Sequence, residues 1–426
     1  MKKLLIFTIL SVIFAIPKVN EITLSNGIEV LSRESNNEIV GLVIFIRGGA
    51  MNLTNETQGV EKLLINTMLE ASANFPKDAL LDLQAKYHTE FEAKVGYDYS
   101  TIRMKCLRKY WDESLEILSD LLRNPLLLDV DIQKVKQNLL TDIAERSAQA
   151  DNWIYHLANR DLLKNHPYEN HSGGTEQTIN LLGREDLLSH YESIFQGSQM
   201  LISVVGKIAN SQLQNDLENA FGWLAEGDYT IVLPPPFEKK TQNSVQFEQR
   251  DIPTNYILGK YISPNLHSDD NLPLRVGTYI LRDRFFKRLR SELHLTYSVR
   301  ASLTESLSPY GSIYITTTNP EKAMPEMFDV IQNMIENPVS QKEIIGTAET
   351  SATYNLMREQ SVISQAITLG RYEIVGTGWK QYYDLLDNAA TVNSEQISTV
   401  FERYFRNYMF GVVGGNIEHS TFNIER

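Results

Sequence analysis

A chain of 426 residues with 42% hydrophobic and 22% charged residues is globular, and its length favours two or more domains over a single core. Its net charge of −13, from 40 basic and 53 acidic residues, leaves no cationic surplus to neutralise phosphates and argues against nucleic acid as a partner. Cys106 is the only cysteine, which rules out an internal disulfide and a lipid-modified N-terminal cysteine.

The chain begins with Met1, Lys2 and Lys3, followed by a mostly apolar run over residues 4–16. A basic start and a short apolar core predict a signal peptide over residues 1–17 and export to a periplasm or the exterior. The run is too short for an ordinary span, so no stable membrane span is expected; anchoring in an inner membrane by residues 4–16 is the alternative. Next, Ser25, Asn26 and Gly27 form a turn between two opening strands. Residues 40–46 (VGLVIFI) read as a buried strand, and a loop over residues 47–50 (RGGA) leads to a helix that opens after Gly59.

Further along, Ile102, Met104 and Cys106 alternate as in a half-buried strand, whereas Trp111, Leu115, Leu118 and Leu122 recur at helical spacing. Asp142 follows the helical stripe of Val135 and Leu139, in residues 138–143 (NLLTDI). Residues 166–174 (HPYENHSGG) hold His166 and His171, but their spacing has no ligand logic, and a loop packed at the surface is expected. An amphipathic helix over residues 185–195 (EDLLSHYESIF) then leads to a buried strand over residues 201–206 (LISVVG).

Residues 229–240 (YTIVLPPPFEKK) contain three consecutive prolines and predict an extended connector, drawn over residues 229–245, that spaces two domains and lets them hinge. Beyond it the pattern repeats. Residues 279–290 (YILRDRFFKRLR) read as a helix ending in a basic turn, and a strand is expected to begin at residues 295–299 (LTYSV). Residues 394–405 (SEQISTVFERYF) and 410–414 (FGVVG) echo the helix and strand that close the first half. The expectation is an α+β chain of two homologous layers, residues 18–228 and 246–426, each a mostly antiparallel sheet with helices on one face.

Two segments carry a resemblance: residues 59–66 (GVEKLLIN) and residues 290–298 (RSELHLTYS). They resemble the two halves of an active site in the insulinase-type, or pitrilysin-type, metallopeptidase family. Catalytic members open a helix after such a glycine with H-x-x-E-H, two zinc ligands and a base. The resemblance sets Lys62, Ile65 and Asn66 where His, Glu and His would stand, and Asp142 where a Glu from a later helix would be the third ligand. An ammonium and an alkyl group cannot do that work, and an amide replaces imidazole poorly. No cofactor is therefore expected in this chain; zinc is expected in a partner chain.

Family members also carry an Arg and a Tyr that grip substrate carbonyls and steady the tetrahedral intermediate, and Arg290 and Tyr297 match them in type and in spacing of 297 − 290 = 7. The resemblance further implies a clamshell arrangement around a peptide. Lys62 and Asp142 are expected to face each other, the ammonium standing in for the lost ion beside a buried carboxylate; a Lys62 that reaches out to solvent is the alternative. The implied function is that of a non-catalytic subunit, supplying Arg290 and Tyr297 to a homologous H-x-x-E-H partner that degrades or processes peptides. The stretch over residues 273–286 holds only Gly277, unlike the glycine-rich α-type mitochondrial processing subunit. A structural or peptide-binding protein with no part in hydrolysis is the alternative, with Arg290 complementing a helix dipole and Tyr297 packing.

Overall fold

The computed structural model describes residues 17–415, so the apolar run read as a signal segment lies outside the described residues. Six strands form the first sheet: β1 (Asn20–Thr23), β2 (Glu29–Glu34), β3 (Ile39–Arg47), β4 (Glu90–Val95), β5 (Tyr99–Leu107) and β6 (Met200–Gly206), in the order β1-β2-β6-β3-β5-β4. Five form the second: β7 (Ser244–Gln249), β8 (Asn255–Ile262), β9 (Val299–Leu303), β10 (Tyr310–Thr317) and β11 (Met409–Gly414), in the order β7-β11-β8-β10-β9. Once β1 is set aside, the two orders correspond strand for strand. In each, the one parallel pair among the described residues joins the first to the last of these five strands in chain order, β2 to β6 and β7 to β11. The duplication expected from the closing helices and strands is therefore a duplication of the whole topology.

The helices of the first half are α1 (Val60–Met68), α2 (Lys77–Tyr87), α3 (Trp111–Arg123), α4 (Asp129–Ala148), α5 (Ala150–Leu162), α6 (Glu176–Leu181), α7 (Arg184–Ile194) and α8 (Asn210–Phe221). The second half holds α9 (Asn271–Phe285), α10 (Pro320–Glu336), α11 (Gln341–Arg358), α12 (Val362–Val375), α13 (Gln381–Asn388) and α14 (Ser394–Tyr404). No helix of the described residues is long and apolar enough to cross a membrane.

Alternation along β3 decides what covers what. Val40, Leu42, Ile44 and Ile46 join a core with α1, α3 and α4, while Val43 and Phe45 point to the opposite face. That second face is closed by α12, a helix of the other half, through Val362, Ala366, Leu369 and Tyr372. The converse also holds: α5 leaves the first half and covers β8 and β11 of the second sheet, with Ile154, Leu157 and Ala158 against Leu258 and Val413. Two glycines make these approaches possible. A Cβ on Gly370 of α12 would enter the Phe45 ring, and one on Gly411 of β11 would meet the backbone of α5 at Ile154.

The expectation of helices on one face therefore holds for each half's own helices, and the opposite half covers the other face. The three prolines lie in an extended strap over residues 231–240 that touches both halves, because Pro235 O accepts from His166 Nε2 (2.8 Å) and from Ser308 Oγ (3.3 Å). Phe237 is buried against His166, Tyr168 and Tyr310, side chains drawn from both halves. Strand β7 starts at Ser244, inside the expected connector.

Candidate functional site

Helix α1 begins at Gly59, whose φ of 87° few other residues tolerate, and its apolar side buries Leu63, Leu64, Ile65 and Met68. Ile65 is fully buried, so the position of the base in a catalytic relative is a core position here. Asn66 Nδ2 donates to Lys62 O of its own helix (2.7 Å). Lys62 reaches across to α4, where its Nζ lies 3.1 Å from Asp142 Oδ2. The structure thus brings together the two residues that the resemblance places on facing helices.

The expected burial of Asp142 is corrected, since its side chain is 61% exposed. The buried stripe of α4 ends at Leu139, and Asp142 stands almost one turn beyond it. Neither Lys62 nor Ile65 can bind zinc, and among the described residues no three His, Cys, Asp or Glu side chains converge as a metal site. The residues present do not fit the metal.

The sequence does not single out Arg146, and His171 reads there only as part of a loop. Arg146 stands one turn after Asp142 on α4, and its Nη1 faces the edge of the His171 ring, 3.1 Å from Nδ1 and closer still to Nε2. His171 Nδ1 also faces Gly173 N (2.9 Å), and the backbone N–H of His171 donates to Gln58 Oε1 (2.9 Å). Burial, and then the positive charges of Arg146, Lys62 and His156, pull the His171 imidazole down to about 3, so it is neutral at physiological pH. Glu61, beside Lys62, turns the other way into the core, where it accepts from Ser100 Oγ and faces His190 Nε2 at 3.1 Å. The loop of His166 and His171 is therefore not a surface loop: its Gly174 packs against Gly59 at the start of α1, and His166 is buried. Arg146 had a signal, the i, i+4 offset from Asp142. His171 had none, because only the tertiary fold brings that loop to α1.

The second segment is built differently. Helix α9 continues past Phe285 into a π-helical turn, Phe286–Glu292, in which Leu293 N donates to Arg288 O five residues back (3.1 Å). Such widened turns are uncommon and occur disproportionately at functional positions. His294 then takes a left-handed conformation, φ 52°, which redirects the chain. The strand starts at Val299 and not at residue 295 as expected, so Tyr297 lies in an irregular segment outside the sheet. It is 89% exposed, and its hydroxyl has no hydrogen-bond partner among the described residues.

The basic side chains of this turn have different partners. Arg284 is held by both carboxylate oxygens of Glu343 (2.9 and 2.8 Å), and Arg288 by Glu326 (2.9 Å). Arg290 has no carboxylate in ion-pair range among the described residues and lies over the Phe286 ring, 4.9 Å from its centre. An Arg and a Tyr are left as free donors on one exposed stretch.

Residues 29–176 match the family model described as insulinase (peptidase family M16), and residues 182–349 match the one described as peptidase M16 inactive domain. The chain is 23% identical over 350 residues to a Rickettsia felis protein named "Uncharacterized zinc protease", covering 80% of this chain and 84% of that one. It is 20% identical over 363 residues to a Helicobacter pylori protein named "Non-peptidase homolog YmxG", covering 83% of each. A solved peptidase M16 inactive domain from Pseudomonas fluorescens superposes with a TM-score of 0.84 at 16% identity, covering 94% of this chain and 98% of that one, which shows the shared fold.

Proposed function

The chain belongs to the insulinase family, peptidase family M16, without that family's H-x-x-E-H motif, and from this premise we propose that it is the non-catalytic subunit of a two-chain zinc peptidase acting on peptides. The observation that carries the reading is the state of Arg290 and Tyr297. Neighbouring Arg284 and Arg288 are spent in ion pairs, whereas these two donors are unpaired and exposed. A homologous partner supplies the zinc, its ligands and the base; this chain supplies a guanidinium and a phenol, both donors to the oxygen that gains charge as a peptide carbonyl becomes tetrahedral. The apolar N-terminal run supports export of the pair to a periplasm or the exterior.

A second reading, a structural or peptide-binding protein with no part in hydrolysis, is favoured by one contact, the packing of Arg290 on Phe286. A peptidase assay on each chain alone and on the reconstituted pair separates the two. Turnover is expected only from the pair, and Arg290→Ala or Tyr297→Phe should each lower kcat/KM on the order of 10²-fold, as for loss of an oxyanion donor, with the mass of the complex unchanged. Unchanged turnover in both variants would establish the second reading.

A further inference from the structure

The misfit between this site and zinc is a matter of charge as well as ligands. Two cations on different helices come together around one stretch of α4: Lys62 of α1 reaches Asp142, and Arg146, one turn further along α4, lies against His171, whose imidazole feels both charges. Their counterions are few. Asp142 pairs with Lys62, Glu61 is turned away to Ser100 and His190, and the group facing Arg146 is a neutral imidazole. From the first helix turn of α5, Asp151 is engaged by the Tyr314 hydroxyl of the second half (2.7 Å), and His156 of α5 is stacked on Trp153. The cluster therefore holds two cations against one carboxylate.

The single carboxylate is also the easiest member to displace. Asp142 is 61% exposed, and its partner Lys62 31%, so solvent already competes for their pairing. Arg146 uses one guanidinium nitrogen, Nη1, toward His171, and its other donors make no hydrogen bond among the described residues. A planar guanidinium next to a compact ammonium suits a carboxylate, which takes two parallel hydrogen bonds from the first and a point charge from the second. We propose that the former metal position is a carboxylate site, in which Lys62 and Arg146 hold the C-terminal carboxylate or an acidic side chain of a peptide. The proposal rests on the reading above only in that the ligand is a peptide. A chain that gave up its metal would thus keep a fixed positive charge there, changing the group it recognises from a neutral carbonyl to an anion.

The test uses the full chain and three versions of one short peptide with otherwise neutral side chains: the free acid, the C-terminal amide, and the amide with one internal Glu. Calorimetry at low salt should show the acid binding about tenfold or more tightly than the plain amide, the worth of one charge-assisted hydrogen bond. The Glu-containing amide distinguishes a side-chain carboxylate from a terminal one. In Lys62→Gln/Arg146→Gln the acid-to-amide ratio should fall to about one, with unfolding curves confirming that the variant is folded. Asp142→Asn, which frees Lys62, should tighten acid binding, an outcome that a merely structural ion pair would not give. Equal affinity for acid and amide in the unaltered chain, or a preference that survives the double substitution, would overturn the site. Turnover of the two-chain enzyme reports on Arg290 and Tyr297 instead, so either proposal can fail without the other.

Discussion

Helix α12 closes the first sheet with Val362, Ala366, Leu369 and Tyr372 laid on Val43, Phe45, Leu201 and Val205. Helix α5 closes the second sheet with a polar set added to its apolar one: Lys260 Nζ donates to Asn159 Oδ1 (2.5 Å), Tyr314 OH to Asp151, and Trp153 Nε1 to Glu248. The positions are equivalent. Phe45 stands opposite Leu201, which is 206 − 201 = 5 residues before the strand-ending Gly206; Lys260 stands opposite Met409, 414 − 409 = 5 residues before Gly414. One duplicated plan has thus kept an apolar knob under one exchanged helix and put a buried lysine under the other. Because α5 and α12 each bind their half to the opposite sheet, the two junctions hold the same architecture by different physics, one with an apolar ring at this position and the other with a buried, titratable lysine.

The largest effect expected from this difference is at Phe45. Its ring fills the space that Gly370 leaves, so Phe45→Ala should cost about 3–5 kcal/mol in a denaturant-unfolding measurement, the sum of lost transfer energy and a cavity. Lys260→Met, the matching change in the second half, should be neutral or stabilising at pH 7, because an alkyl chain of similar volume replaces a cation that has no carboxylate partner among the described residues. Equal losses for the two variants would show that the junctions are not different in kind.

The next effect in size is pH dependence. Burial pulls the Lys260 ammonium down to about 7 from an ordinary value near 10.5. Between those two values the unfolded chain binds a proton at this lysine that the folded chain has released, so stability should rise with pH across that window, by up to about 1.4 kcal/mol per pH unit. Below pH 7 both states carry the proton and the slope vanishes, with the cost of the buried charge at its full value. Unfolding curves of the parent and of Lys260→Met, compared from pH 6 to 10, isolate the contribution of this one group. A parent-minus-variant difference that stays flat across that range would remove the titratable junction.

The sequence carried the duplication openly, because each half ends in an amphipathic helix and an apolar strand closed by glycine. It did not carry the exchange. Periodicity in β3 shows that both faces are apolar, but says nothing about which helix covers Phe45. Three prolines announced an extended segment without announcing that Pro235 O would be hydrogen-bonded from both sides. At the candidate site, the resemblance was needed to bring Asp142 to Lys62, and the stripe used to infer its burial ends at Leu139. Tyr297 was assigned to a strand because nothing local marks the π-helical turn and the left-handed His294 that delay β9 to Val299.

The smallest effect is expected at the Lys62–Asp142 pair, which sets the exposed cation of the first half against the buried one of the second. Lys260 is 1% exposed, and its cost is one of desolvation. Lys62 and Asp142 lose little hydration, being 31% and 61% exposed, and pay side-chain entropy to stay in register. Their attraction in a medium close to water is correspondingly weak and is screened by salt. A double-mutant cycle of Lys62→Met, Asp142→Asn and the double variant should give a coupling within about 1 kcal/mol that fades at high ionic strength. Neither single change should strand a charge, because solvent reaches whichever partner remains. A coupling of about 3–5 kcal/mol, as for one partner removed from a buried pair, would mean that the former metal position is closed to water. The carboxylate of a peptide could then reach Lys62 only by opening the fold, which makes this modest measurement a check on access to the site as well as on the pair.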